Sequence, residues 1–257
     1  MESSFYKYCP INDDKNLENE YSLINLLSNQ VTFSRRKNFN DLFDSKVDFI
    51  KPAHKELKAL IPQIKGKKRV IFKSVFLKNE NEFINDFVEK LEKRFDEYLF
   101  YCVTDDPENN LMWSHYASSH RGFCIEWDSS IIKAEKVSYE SDIASFKVID
   151  LIKSHFNIIS NDEPARNMWK ALRIKLKEWE YESEYRLQLN DQKYYHVIER
   201  NSNFVLVGYE PEWIKSIIFG YRMSEESRQY VISRMPKGTK YKEIVVGKSS
   251  VRVVDIN

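Results

Sequence analysis

Glycine is scarce in this chain, with 6 among 257 residues, and cysteine scarcer still at 3. So little glycine argues against a loop-rich or repetitive protein. Neither the phosphate-cradling loop nor the dinucleotide fingerprint, each built on glycines at fixed spacing, is present. Their absence excludes Rossmann-type binding only, since other folds hold NAD without it. Cys9, Cys102 and Cys124 are odd in number and far apart, so neither a disulfide framework nor a thiolate zinc site is expected. No window approaches the run of about 18 apolar residues that a membrane helix needs, and Met1 to Pro10 lacks the apolar stretch of a signal peptide. A formal net charge of +1 creates no field toward nucleic acid or an anionic membrane. These absences point to a reducing cytoplasm and no membrane partner.

Aromatic residues are plentiful by contrast, at 14% of the chain, and the length is ample for a substantial core. With no repeat and no low-complexity linker, the chain reads as a single domain, 1–257, carrying a mainly helical insertion at about 45–97. Phe5 to Tyr8 reads as a first strand closed by Pro10. Leu23, Ile24, Leu26 and Leu27 mark a helix within 17–28, and Val31 to Ser34 a strand. In the charged insertion, Phe83, Phe87, Leu91 and Phe95 form a core-facing stripe, and Lys65 to Arg69 reads as a solvated basic loop. A short strand, Leu99 to Val103, precedes a helix with Asp106 at N-cap and Pro107 at N1, ended by Gly122. Next come a strand Phe123 to Trp127, with Phe123, Ile125 and Trp127 on one face, and a short one at 136–139. Helices are expected at about 145–159 and 164–178, then strands at 182–189, 204–207 and 216–219. A helix opened by Ser224 runs to about Met235, and strands at 240–246 and 251–256 close the chain. Short strands set irregularly between helices, with no βαβ rhythm, define an α+β fold with a mixed sheet.

Two short windows concentrate polar and aromatic residues: Met112 to Tyr116 with His120, Arg121 and Gly122, and Trp179 to Arg186. Such groups are costly to bury unpaired, so their clustering predicts that the windows line a shared hollow. Trp113, Tyr116 and His120 share a helix face, which reads either as an aromatic wall for a planar ligand or as a stripe docked on the sheet. His115 lies beside it, as a ligand contact or a hydrogen-bonded structural residue. Alternation puts Glu182, Glu184 and Arg186 on one strand face. In a cleft, the two carboxylates raise each other's pKa while Arg186 lowers the nearer one; on a solvent face they are decoration. Asn40, Asp41 and Asp44 could ligate a hard cation but read first as turn-formers, so no metal is expected.

At these residues the chain resembles a large, mostly bacterial family, domain of unknown function 2971. Tyr6-Lys7-Tyr8, Phe39-Asn40-Asp41, Met112 to Ala117 with Gly122, and Trp179 to Arg186 match its motifs in order across about residues 5 to 220. Leu42-Phe43 and Val103-Thr104 depart from it, standing where Pro-Phe and Phe-Ser are common. A second, fold-level resemblance is to ADP-ribosyltransferases, in which a late strand bears Glu-x-Glu. That resemblance implies Glu184 at the ribose with NAD as substrate, an aromatic ring from Tyr116 or Trp113, and a first-strand contact from Lys7 or Tyr8. Glu182 or Glu126 would then position the acceptor and Arg186 would orient Glu184. His115 and Asn40, from the matched motifs, join the nucleotide-contacting set. The resemblance thus implies a NAD- or nucleotide-using transferase cleaving at the ribose carbon, an effector suited to bacterial stress or phage defence. The alternative is a non-catalytic module recognising a nucleotide, peptide or nucleic-acid end, with Glu182, Glu184 and Arg186 as a structural ladder.

Overall fold

The computed structural model describes residues 4–189 and 196–256. In chain order the elements begin β1 (Ser4–Cys9), α1 (Tyr21–Leu27), β2 (Gln30–Arg35), β3 (Val47–Ile50) and α2 (His54–Leu60). They continue with α3 (Gly66–Ile71), α4 (Glu80–Asp96), β4 (Leu99–Thr104), α5 (Asn110–Tyr116) and β5 (Phe123–Asp128). Next are β6 (Glu135–Lys136), β7 (Ser138–Glu140), β8 (Ala144–Lys147), α6 (Val148–His155), α7 (Asp162–Ala171) and β9 (Ile174–Leu176). The last are β10 (Glu184–Leu189), β11 (Val197–Arg200), β12 (Phe204–Gly208), β13 (Ile214–Phe219), α8 (Glu225–Ile232), β14 (Tyr241–Val246) and β15 (Val251–Asp255). The fold class is α+β.

Two compact units divide the chain. The first comprises residues 1–38, 99–137 and 178–257, the second 39–98 and 138–177. The helical segment read at 45–97 thus falls in the second unit, which also takes in 138–177.

The first unit is built on one mixed sheet, ordered β11-β12-β2-β4-β1-β5-β13-β14-β15, with β10 added on β4 and β6 on β10. Every pairing is antiparallel except β13 with β14. β10 follows β4 along its full length, from Leu189↔Leu99 to Glu184↔Thr104. β4 also meets β2 at Phe100 and Leu99 and β1 at Thr104 alone. Between those two contacts the Lys7 ammonium donates to the Cys102 carbonyl at 3.0 Å, so a side chain satisfies an acceptor that no ladder reaches.

Alternation along β5 works as the sequence predicts. Phe123, Ile125 and Trp127 enter one core with Phe33, Tyr101 and Val205, while Cys124 joins Tyr8, Trp113 and Ile218 on the other face. Gly122 has a different role from helix termination. A Cβ there would lie 2.0 Å from the Cys9 carbonyl oxygen, so only glycine lets β1 and β5 approach at this point.

The second unit holds two short parallel pairs, β3 with β8 and β7 with β9. Its core gathers Leu57, Phe72, Phe76, Ile84 and Ile152, with Phe83 and Phe87 packed against it; Leu91 and Phe95 of the predicted stripe are buried as well. Several boundaries differ from the sequence reading. Lys65 to Arg69 mostly enters α3 rather than a loop. The strand expected at 136–139 is two, because Val137 N–H bonds Glu184 of β10 whereas Ser138 N–H bonds Arg173 ahead of β9. The helix expected over 164–178 stops at Ala171 and yields to β9.

Candidate functional site

α5 is short because its ends are fixed by side chains and strain. Its N-cap is Asn109, whose Oδ1 accepts from Leu111 N at 3.0 Å and Met112 N at 3.2 Å. Asp106, the expected cap, instead holds Glu108 N at 2.8 Å, a local Asx bond one turn too early. Beyond the helix, Ser118, Ser119 and His120 all take positive φ, at 48°, 56° and 71°. Three successive L-residues in that region are strained, and such runs collect at functional sites. They turn the chain so that His120 N–H reaches Trp113 O and Gly122 N–H reaches Ala117 O.

The second window divides between two elements. Lys177–Glu182 is a 3₁₀ turn, and Ser183 has φ of 46°, so the strand begins only at Glu184. Glu182 therefore does not share a strand face with Glu184 and Arg186, as simple alternation predicts. The two windows nevertheless meet. Asn109 Nδ2 donates to Tyr181 O at 2.5 Å, the Tyr116 phenol donates to Glu182 Oε1, and the His115 and Tyr181 rings lie 6.2 Å apart.

A cleft of about 630 Å³ opens beside His115 and Tyr116, lined by Lys7, Tyr8, Ser118 and Arg121 among others; none of Trp179 to Arg186 lines it, so the two windows touch without sharing the hollow expected of them. Four expected ligand contacts, Lys7, Tyr8, His115 and Tyr116, thus share one cavity. Arg121, part of the first window but given no contact there, lines the cleft too, as do Ser118 and Ser119, whose only signal was their place beside His120. Trp113 does not serve as a wall. It is fully buried, its indole N–H donates to Pro107 O at 2.8 Å, and its ring meets Tyr8 edge-on at 5.0 Å. Asn40 is exposed in the second unit. There Asp41 holds Phe43 N at 2.9 Å, and Asp44 bonds Ser45 and pairs with Lys175 at 3.4 Å; these acids act as turn-formers.

The carboxylates are paired. Glu184 and Arg186 are both buried and joined through two bonds, Nε to Oε1 at 2.6 Å and Nη2 to Oε2 at 3.2 Å. The face of β10 that carries them is therefore interior, with the guanidinium also over Phe100. Burial, then the Glu184 charge, drives the neighbouring Cys102 thiol well above its ordinary range. One row of cross-strand partners runs Ser216, Glu126, Tyr6, Thr104, Glu184. Glu126 accepts from Ser216 at 2.5 Å, Lys242 at 2.7 Å and Ser4 at 2.9 Å. Burial pulls its pKa up, but those donors together outweigh burial and leave it lowered. Burial, reinforced by Glu126, pushes the Tyr6 phenol up to about 12. His120 stacks on Trp113 at 6.2 Å, and burial, then Arg222, lowers its pKa.

Chemically this is a polar cleft with cationic, hydroxyl and aromatic walls, with the buried Glu182 bonded to its Tyr116, in an α+β protein. Residues 112–187 match the model of a family described as a protein of unknown function, DUF2971. The match takes in the Met112 to Ala117 and Trp179 to Arg186 motifs, so the family resemblance holds over that stretch. No curated protein and no solved structure matches the chain. No helix among the described residues is long and apolar enough to cross a membrane. Among the same residues, no group of three or more His, Cys, Asp or Glu could hold a metal ion.

Proposed function

We propose that the cleft of the first unit takes up a nucleotide of the NAD class and that the protein transfers its ADP-ribosyl group, through the ribose carbon, to an acceptor. The observation that carries this reading is the gathering of Lys7, Tyr8, His115 and Tyr116 around one cleft, with Glu182 held behind Tyr116. The exposed Arg121 suits phosphate oxygens with its planar fork, whereas the Lys7 ammonium is already held by the Cys102 carbonyl. Tyr116 and His115 offer rings to a base or nicotinamide. In the transfer, the bond from the ribose carbon to nicotinamide breaks and nicotinamide departs with the bonding pair. The acceptor then bonds the ribose carbon and gives up a proton. Glu182, beside the cleft, would stabilise the positive charge that develops on the sugar. Glu184 would act as a positioning residue, because Arg186 already holds both its oxygens.

The test is incubation with NAD and mass detection of free nicotinamide, alongside Glu182→Gln. Release by the native protein, lowered about 100-fold or more in the variant at unchanged melting temperature, supports the transferase. A second reading, a non-catalytic nucleotide module, draws on the burial of both Glu182 and Glu184. It predicts a thermal shift with NAD and no nicotinamide. Absence of any shift across a nucleotide panel would sink both.

A further inference from the structure

Positive charge is unevenly spread along this chain. From Leu57 to Asn79 the sequence holds seven cations and no acid, in a protein whose formal net charge is +1. The remainder is therefore net acidic, and the second unit carries the basic segment. All seven cations are exposed. Two are committed to carbonyl oxygens, Arg69 to Ile64 at 2.6 Å and Lys68 to His155 at 3.2 Å. Among the described residues none of the seven pairs with an acid; the neighbouring ion pairs are Lys90–Asp86, Lys93–Glu89 and Lys153–Asp150.

Apolar side chains stand exposed along the same segment. α3 runs on into a single π turn, Phe72–Phe76, in which Leu77 N–H reaches Phe72 O at 2.9 Å; such turns gather at functional sites. Phe72 and Phe76 turn inward and stack at 5.1 Å. Val70, Ile71 and Val75 are left 66%, 53% and 42% exposed. Beside Ile71 and Val75 opens a cavity of about 340 Å³, walled by Phe76, Phe83, Phe87 and Phe156. His155 lines it too, so Lys68, bonded to the His155 carbonyl, stands at its edge. Asp86, the one acid in the lining, is held by Lys90 at 2.6 Å.

An apolar hollow beside cations that lack acids fits a partner that is apolar at one point and acidic around it. A cavity of about 150 Å³ takes one benzene, so this one has room for a Leu, Phe or Trp side chain. Aromatic walls also attract a methylated ammonium, but the lysines here repel one. A nucleic-acid strand would use the cations, yet it stacks on exposed rings, and the fully exposed apolar residues here are aliphatic. A membrane surface would take both the cations and the aliphatics but gives the cavity no role. We propose that this face docks an acidic peptide segment of a partner protein. One bulky apolar side chain of the segment enters the cavity. Its carboxylates meet Lys67 and Lys68, which lie one turn before Ile71 on the same helical face. The surface lies wholly within the second unit and does not depend on the nucleotide reading.

Selection of a displayed random dodecapeptide library on the full-length protein tests this. Enriched peptides should carry Asp and Glu in excess around one Leu, Phe or Trp. Their affinity, read by fluorescence anisotropy of the labelled synthetic peptides, should fall as salt rises. Replacing the apolar residue of the peptide with Ser should weaken binding about tenfold or more. Val75→Glu, at an exposed position on the cavity, should do the same. Lys67→Ala/Lys68→Ala should weaken binding about three- to tenfold and flatten its salt dependence. The proposal is overturned if no peptide binds saturably, if the binders show no excess of acids, or if Val75→Glu leaves their affinity unchanged. Binding of phosphatidylserine vesicles or of a single-stranded oligonucleotide that Val75→Glu weakens, with no peptide binder, overturns it equally. Should Val75→Glu fail to fold, the Ser-substituted peptide and the lysine double variant decide.

Discussion

Glu184 is the residue at which the structure changes the expected result of a mutation most. Read from the strand pattern alone, Glu184→Gln removes a reacting charge and spares the fold. The structure assigns it a different role. Arg186 has 0% side-chain exposure and Glu184 6%, and both Glu184 oxygens receive guanidinium N–H groups. Neutralising Glu184 takes a carboxylate with two hydrogen bonds away from a buried cation, and breaking such a pair typically costs about 3–5 kcal/mol. For a chain of this size each kcal/mol lowers the melting temperature by about 2–4 °C. Glu184→Gln should therefore depress the first unit's thermal transition by about 6–20 °C, and Arg186→Met should do the same. The double variant Glu184→Leu/Arg186→Met should recover much of that loss, because both charges of the pair are removed together. Circular dichroism or calorimetry at pH 7 reads all three. A Glu184→Gln melting temperature within about 1 °C of native would refute this reasoning, since a buried two-bond ion pair cannot be broken at no cost.

Gly122→Ala puts a methyl 2.0 Å from the Cys9 carbonyl oxygen; forcing β1 from β5 should cost at least about 1–3 kcal/mol in chemical denaturation. Asn109→Ala loses both the α5 cap and the tie to Tyr181 and should cost about 0.5–2 kcal/mol, while Asn109→Asp keeps the cap and should retain more stability. Glu126 has a lowered folded pKa, so its contribution is full above the ordinary glutamate pKa and is lost as pH falls through the folded value. Unfolding titrations below about pH 4.5 should thus show a steeper acid loss for the native protein than for Glu126→Gln.

Much of this architecture is legible in the residues, for identifiable reasons. The β5 faces follow from strict alternation, and α8 begins where Ser224 accepts from Ser227 N at 3.2 Å, as a serine ahead of an acidic first turn predicts. Failures occur where two local signals compete. Asp106-Pro107 and Asn109 are both fair helix starts, and Asn109 prevails because its amide also satisfies the Tyr181 carbonyl, a partner 72 residues away. Glu182 keeps period two with Glu184 on paper, but the left-handed Ser183 breaks the phase. β11 carries no apolar alternation and exists because Val197 to Arg200 pair with β12 across a bulge. The meeting of the two windows follows from their composition; which of their rings would be sealed does not, since Trp113 and Tyr116 are equally good walls until Tyr8 covers one of them.

The arrangement of charge bears on what the cleft can hold. Three glutamates lie buried on or beside the row that crosses the sheet, an expensive placement unless each is compensated. Glu126 has Lys242, Glu184 has Arg186, and Glu182 takes the Tyr116 phenol. Compensated in this way, Glu126 and Glu184 project little net negative potential, and Arg121 at the lining remains to favour an anion. Glu182 accepts from the Tyr116 phenol, a hydroxyl that itself lines the cleft. A ligand that displaces or reorients Tyr116 would therefore change a hydrogen bond that Glu182 accepts. That coupling between an aromatic wall and the acid behind it is the reason the proposed transfer is assigned to Glu182 rather than Glu184.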